Sequence, residues 1–206
     1  MGGIYVIDET KKDKILWAGL KEFSEHGFDK ASTDRISKDA GVSKGLIFHY
    51  YGSKENLYIF AVNKCIDDIL EEFNNVKFDD LEFVDALIKM MELKYSFFLK
   101  NPMHYRILIK SFYNTPKKMM KKLEHKNLEL RHMGINIIVD MIKDLPLKED
   151  VLSSDIVTLV SSITDTIDKR CLSHLANDTE GIEKIYEVIK NEYIRLINIV
   201  MYGIIA

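Results

Sequence analysis

ASTDRISKDAGVSKGLIFHYYGSKENL, residues 31–57, describes two short helices joined by a tight turn and the start of a third. Thr33 offers a hydroxyl to cap the first helix, and Asp34 places a negative charge in the first turn, where the helix dipole favours it. Ile36, Ala40, Val42, Ile47 and Tyr50 are expected to face inward, and Ser37 is small enough for the second helix to cross closely. Gly41 suits the left-handed backbone that ends the first helix, and Ser43 caps the second. This pattern is a helix-turn-helix, whose second helix lies in the DNA major groove with its N-terminal residues at base edges. The alternative is a hairpin buried in an all-α core. The presumed groove face of Lys44, Gly45, Leu46, Phe48 and His49 is too polar and too bare for packing.

Working outward, residues 11 to 26 read as an amphipathic helix with Ile15, Leu16, Ala18, Gly19 and Phe23 inside and Lys12, Lys14, Lys21, Glu22 and Glu25 outside; Gly27 closes it. Trp17 either covers the helix-turn-helix or lies half exposed. Ser53 caps a long helix in which Leu57, Phe60, Ala61, Cys65, Ile69 and Phe73 recur at helical spacing. From Lys54 to Phe73 it measures about 30 Å at about 1.5 Å per residue. No linker separates it from the reader, so tilting its far end must move the recognition helix. Asp79 or Asp80 opens the next helix, which carries Val84, Leu87, Ile88, Met91, Tyr95 and Phe98 and stops at Asn101-Pro102. A short segment holding Tyr105, Leu108, Ile109 and Phe112 follows. Thr115 then caps a helix with Pro116 in its first position, running through Leu123, Leu128, Ile138, Met141 and Ile142 to Pro146. Helices over about Ser154 to Ala176 and Thr179 to Tyr202 complete an all-α chain without strand pattern or internal repeat.

Composition bounds what such a chain does. Apolar residues at 47% of 206 supply a core, and only three prolines interrupt the helices. Twenty-nine basic against 32 acidic side chains leave a net charge of -3, and residues 1–53 hold eight of each sign. DNA affinity must therefore come from placement rather than bulk charge, with modest non-specific binding. Cys65 and Cys171 lack companions for a zinc knuckle or disulfide framework and read as reduced thiols of a cytoplasmic protein. No apolar block follows a basic start, so no leader peptide is expected. The apolar tail from Leu196 to Ala206 is shorter than the about 20 residues a membrane span needs.

The segment from Ile15 to Leu57 resembles the DNA-binding domain of the TetR family of bacterial transcriptional regulators. The resemblance is carried by Ile15-Leu16 with Ala18 and Phe23, Gly27-Phe28, Ser32-Thr33, Ile36, Ala40-Gly41-Val42-Ser43, Gly45 and Tyr51-x-Ser53-Lys54-Glu55-x-x-Leu57. Nothing comparable is found from residue 75 to 206. The resemblance implies a reader over residues 1–53 and a helical effector-binding and dimerisation domain over 54–206. Lys44 and Gly45 would meet base edges, with Lys44 donating to guanine O6 or N7 and Gly45 allowing close approach. Leu46 would touch a thymine methyl and His49 a base or phosphate. Thr33, Tyr50 and Lys54 are the implied phosphate anchors; Phe48 stands where the family more often has tyrosine, which removes a hydroxyl contact.

The last two helices are unusually apolar: Ile156, Leu159, Val160, Ile163, Ile167, Cys171 and Leu175 repeat along one, Ile182, Ile185, Ile189, Tyr193, Ile197, Val200 and Met201 along the other. They suit either an internal core or, as the resemblance implies, a homodimer that pairs them with their copies and matches a palindromic operator. Met91, Tyr95, Phe98, Tyr105, Phe112 and Met141 are candidate linings of an apolar effector pocket, and the same residues suit plain core. There is no phosphate loop, nucleophile elbow or HExxH pair, so no enzyme and no cofactor is expected. His125, Glu129 and His132 share a helical face able to hold a metal, but Lys121, Lys122 and Lys126 crowd it and favour a solvated surface. The expected function is a ligand-responsive repressor. The alternative is a DNA-binding protein of the same fold governed by a protein partner or acting in chromosome organisation.

Overall fold

A computed structural model describes residues 10–78, 80–113, 116–143, 145–175 and 182–204, except the side chains of 112, 113, 117, 118, 171–175, 182–185, 203 and 204. Helices carry the regular structure of these residues: α1 (Lys11–Lys30), α2 (Thr33–Asp39), α3 (Lys44–Tyr51), α4 (Lys54–Asn74), α5 (Phe83–Lys100), α6 (Pro102–Tyr113), α7 (Lys117–Ile142), α8 (Ser153–Leu175) and α9 (Ile182–Ile204). The all-α expectation holds.

Local chemistry explains the boundaries. Thr10 and Asp13 form a reciprocal capping box at the start of α1. Gly27, at φ 69°, breaks its regular course before a further turn reaches Lys30. Ser53 Oγ accepts from Asn56 N–H at 3.0 Å and caps α4. The next helix begins later than Asp79 or Asp80: Leu81 N–H closes a turn onto Phe78 O at 3.1 Å, Phe78 is buried, and Glu82 is the N-cap. Asp79 itself lies outside the described residues. The presumed short segment after Asn101 is the twelve-residue α6, begun by Pro102 where its missing N–H costs nothing. Thr115 also lies outside the described residues, while Pro116 O accepts from Met119 N–H at 2.8 Å at the head of α7.

Packing divides the chain into two units, Met1–Asp67 with Pro102–Lys126, and Asp68–Asn101 with Asn127–Ala206. The first thus gathers α6 and the start of α7 around the helix-turn-helix. Ile15, Leu20, Phe23, Ile36, Ile47, Leu57, Ala61 and Val62 form its core. A Cβ on Gly19 would stand 3.2 Å from Leu57, so α4 approaches α1 at a glycine. The Phe23 ring meets Tyr58 edge-on at 5.1 Å, and Phe28 lies 5.4 Å from Tyr58. From α6, Lys110 Nζ donates to Ser24 O at 2.7 Å near the end of regular α1. Burial first, then the Arg106 charge, lowers the Lys110 pKa. Trp17 is half exposed beside His104, their ring centroids 6.1 Å apart. Phe60, expected inside, is 47% exposed and rests edge-on against Tyr51 at 5.4 Å.

In the second unit, α9 packs on α5 and α8. Phe83, Leu87, Met91, Tyr95, Phe98, Ile156, Val160, Ile167, Ile189, Tyr193, Ile197 and Met201 are buried. Asp168 on α8 accepts from Lys94 Nζ at 2.7 Å and Tyr95 Oη at 2.9 Å, both on α5. Lys190 pairs with Glu92 at 2.7 Å. The Tyr193 phenol is pushed up by burial foremost, against the Thr164 hydrogen bond that lowers it. Of the described side chains in the two apolar stripes, Ile156, Val160, Ile167, Ile189, Tyr193, Ile197 and Met201 therefore line this unit's own interior, while those of Cys171, Leu175, Ile182 and Ile185 lie outside the described residues. Leu159 departs from its stripe and is exposed, as are Leu152, Val188, Ile199 and Tyr202.

Candidate nucleic-acid interface

Serine rather than threonine begins the helix-turn-helix: Ser32 Oγ accepts from Asp34 N–H at 3.3 Å, and Thr33 is already the first helical residue. At the other end Val42 N–H bonds Ser37 O at 3.0 Å and Gly41 N–H bonds Lys38 O at 3.2 Å, the paired bonds of a Schellman motif. Gly41 sits at φ 64° with nothing within 4 Å of a would-be Cβ. Conformation alone demands glycine there. Ser43 is the N-cap of α3 by backbone position, without a side-chain cap bond.

Ile47 and Tyr51 are the residues by which α3 seats inward. Tyr50, expected inside, is 40% exposed; the buried tyrosine is its neighbour, because residues 47 and 51 share one helical face. Tyr51 Oη donates to Lys12 O at 2.9 Å, and burial foremost, then the charge of Asp13, pushes its pKa up to about 12. Lys44, Gly45, Phe48, His49 and Tyr50 are exposed and Leu46 and Thr33 are intermediate. A Cβ on Gly45 would meet nothing nearer than Ser43 Oγ at 4.0 Å. The protein itself has no packing use for a glycine at that place.

Lys21, Arg35, Lys44 and Lys54 are held by internal acceptors. Lys44 Nζ lies 2.9 Å from Asp34 Oδ1 and 3.0 Å from Oδ2. Lys54 Nζ donates to Phe28 O at 2.9 Å and Ala31 O at 3.0 Å, and stands 4.6 Å from the Phe28 ring centroid. Lys21 pairs with Asp39 at 3.2 Å. Glu22, read from periodicity as an outward residue, is buried. Its Oε1 accepts Arg35 Nε at 2.9 Å and Ser32 N–H at 2.8 Å, and Arg35 Nη2 reaches Lys30 O at 2.9 Å. Burial opposes ionisation of Glu22, but the Arg35 and Ser32 hydrogen bonds and the charges of Arg35 and His26 outweigh it, so its pKa is lowered. Period alone hid this residue. The signal available was an arginine thirteen positions on, and sequence does not say that the two meet.

Of the effector-pocket candidates, Met91, Tyr95 and Phe98 are buried and Met141 is intermediate in the second unit, whereas Tyr105 is buried in the first. The Phe112 side chain lies outside the described residues. His125, Glu129 and His132 are exposed, and no metal-ligating cluster occurs among the described residues. No helix among them is long and apolar enough to cross a membrane.

The family model for bacterial regulatory proteins of the tetR family matches residues 15–59, which span α1 to the first turns of α4. That segment is similar to the DNA-binding part of the tetR family. The chain is 31% identical over 80 residues to the biofilm operon icaADBC HTH-type negative transcriptional regulator IcaR of Staphylococcus epidermidis, covering 39% of this chain and 43% of that protein. It is 40% identical over 50 residues to the HTH-type transcriptional repressor AcnR of Corynebacterium glutamicum, covering 24% and 27%. The match thus spans less than half the length of either relative. A transcriptional regulator from Rhodococcus sp. Rha1 shares the fold at a TM-score of 0.71 and 15% identity, over 95% of this chain and 98% of that one. The matched segment includes Gly41, which turns the chain, and Gly45, which leaves α3 bare.

Proposed function

We propose that this chain is a homodimeric transcriptional repressor that leaves a palindromic operator when a small apolar or amphipathic effector binds its C-terminal part. The observation that carries the DNA-binding reading is the outer face of α3, where Lys44, Gly45, Phe48, His49 and Tyr50 are exposed above the buried Ile47 and Tyr51. Lys44 donates to a guanine edge, Gly45 admits the backbone close to the groove, Leu46 meets a thymine methyl and His49 a base or phosphate. Thr33 and Tyr50 hold phosphates. Lys54 takes part through the carbonyls it gathers at the end of α1, as a positioning residue. A second copy docks on the outer faces of α8 and α9, where Leu152, Leu159, Val188, Ile199 and Tyr202 are exposed, and sets the two recognition helices about 34–36 Å apart. The effector enters among Met91, Tyr95 and Phe98, and a coupling of about 1–3 kcal/mol lowers DNA affinity about 5- to 150-fold.

Selection of duplexes from a random pool tests the reading. Enrichment of one palindromic sequence, bound by a species of dimer mass in light scattering, supports it. A monomer that enriches no sequence overturns it. Thermal-shift screening with lipophilic compounds tests the effector: a stabilising chemotype that also releases the enriched duplex is expected, and stabilisation without release refutes the repressor mechanism.

A further inference from the structure

We infer that Asp34 sets the DNA specificity of this reader by holding Lys44 in an internal ion pair that non-specific phosphate must displace. The inference rests on the DNA-binding reading above and deepens it. Lys44 and Asp34 are both exposed, on the first turns of α3 and α2, and the ammonium lies within hydrogen-bond distance of both carboxylate oxygens. Beyond its charge in the first turn of α2, Asp34 serves the local fold through its backbone: the α2 cap is Ser32, and the Asp34 groups used there are its own N–H and its carbonyl, which accepts from Ser37 Oγ at 3.0 Å.

The energetics favour a filter over a lock. An exposed ion pair contributes little in water, so the pair opens readily. A phosphate offers Lys44 the same kind of acceptor that it already has and brings a second negative charge towards Asp34. Non-specific binding therefore gains less than a lone lysine would give. A guanine edge offers O6 and N7 in the major groove without a formal charge, so the exchange there carries less repulsion. The reader as a whole is consistent with this economy. Lys21, Arg35 and Lys54 are likewise held by internal acceptors, and residues 1–53 carry no net excess of positive side chains.

The test uses the full chain, a duplex of about 30 base pairs enriched from a random pool by the wild-type protein, and a scrambled duplex of equal composition, read by fluorescence anisotropy across a salt series. Asp34→Asn keeps the shape and removes the charge. It is expected to bind the scrambled duplex about two- to fivefold more tightly, to narrow the ratio between enriched and scrambled duplexes, and to steepen the salt slope by about 0.9. In a Lys44→Ala background the same substitution is expected to have a much smaller effect on both, since only the repulsion between Asp34 and phosphate is then relieved. Unchanged or weaker scrambled binding by Asp34→Asn overturns the inference. So does a gain of undiminished size without Lys44, because that would be bulk charge rather than the pair. If the wild-type protein enriches no sequence at all, the DNA-binding reading fails first, which separates the two outcomes.

Discussion

Glu22→Gln isolates the charge that fastens α2 to α1. The carboxylate is 8% exposed and takes three donors, Arg35 Nε, Arg35 Nη2 and Ser32 N–H. Glutamine retains an acceptor for Ser32 but turns the charged bonds from Arg35 into neutral ones. Hydrogen bonds to charged groups contribute about 1.5–3 kcal/mol and neutral ones about 0.5–1.5. Arg35 is about half exposed, so water re-solvates it when its partner is lost and the net effect falls to the low end. We expect a loss of about 1–2 kcal/mol at neutral pH, or about 2–8 °C in Tm at about 2–4 °C per kcal/mol for a chain of this size. Glu22→Ala, which also strands the Ser32 N–H, should lose about 2–4 kcal/mol.

The pH dependence of that difference is diagnostic. Because the folded carboxyl is held below its ordinary value, its contribution is fully present above about pH 4.3, the usual glutamate value, and is lost as pH falls through the folded pKa. In circular-dichroism melts of wild type and Glu22→Gln between pH 7 and pH 3, the gap should narrow towards the acid end. A Gln variant as stable as wild type at pH 7, or a gap that stays constant down to pH 3, refutes the role given to this ion pair.

Gly45→Ala should raise stability by about 0.5–1 kcal/mol, because the added methyl meets open space on a helix, yet weaken binding to the enriched duplex; a stabilised variant with unchanged affinity removes Gly45 from the interface. Lys54→Met, which strips the carbonyl contacts of α1, should destabilise by about 1–3 kcal/mol and weaken all duplexes alike while keeping the salt slope, whereas a slope flattened by about 0.9 makes it a phosphate contact. Tyr51→Phe should lose about 1 kcal/mol, and in ultraviolet titration it should remove a phenol that ionises near pH 12; since that pKa is raised in the folded state, the stability it carries is full below about pH 10 and lost above it.

Where side chains follow helical period, the sequence was legible: Ile15, Ile36, Ile47, Leu57, Ala61 and Ile69 are all buried as expected, and Gly41 turns the chain with the positive φ expected of it. It was least legible where one residue replaces another of the same kind. Ser32 caps in place of Thr33, and Tyr51 is buried in place of Tyr50, because either neighbour satisfies the local chemistry and only tertiary packing selects one. Glu22 was misread for a different reason. A charged residue near an exposed helix face looks solvated until its partner arrives from another part of the chain, as Arg35 does for Glu22. In the candidate site, the exposed set on α3 could be written down from residues 44–49, but the pairing of Lys44 with Asp34 could not, since it depends on how the turn at Gly41 brings two helix starts together.

The seat of Leu57 against Gly19 also limits what position 19 can become. A methyl added at position 19 would stand 3.2 Å from Leu57, so an alanine there fits only if the leucine gives by a few tenths of an ångström. Gly19 thus sets the spacing at which α4 lies on α1 within the first unit, a spacing that any larger residue would prise open.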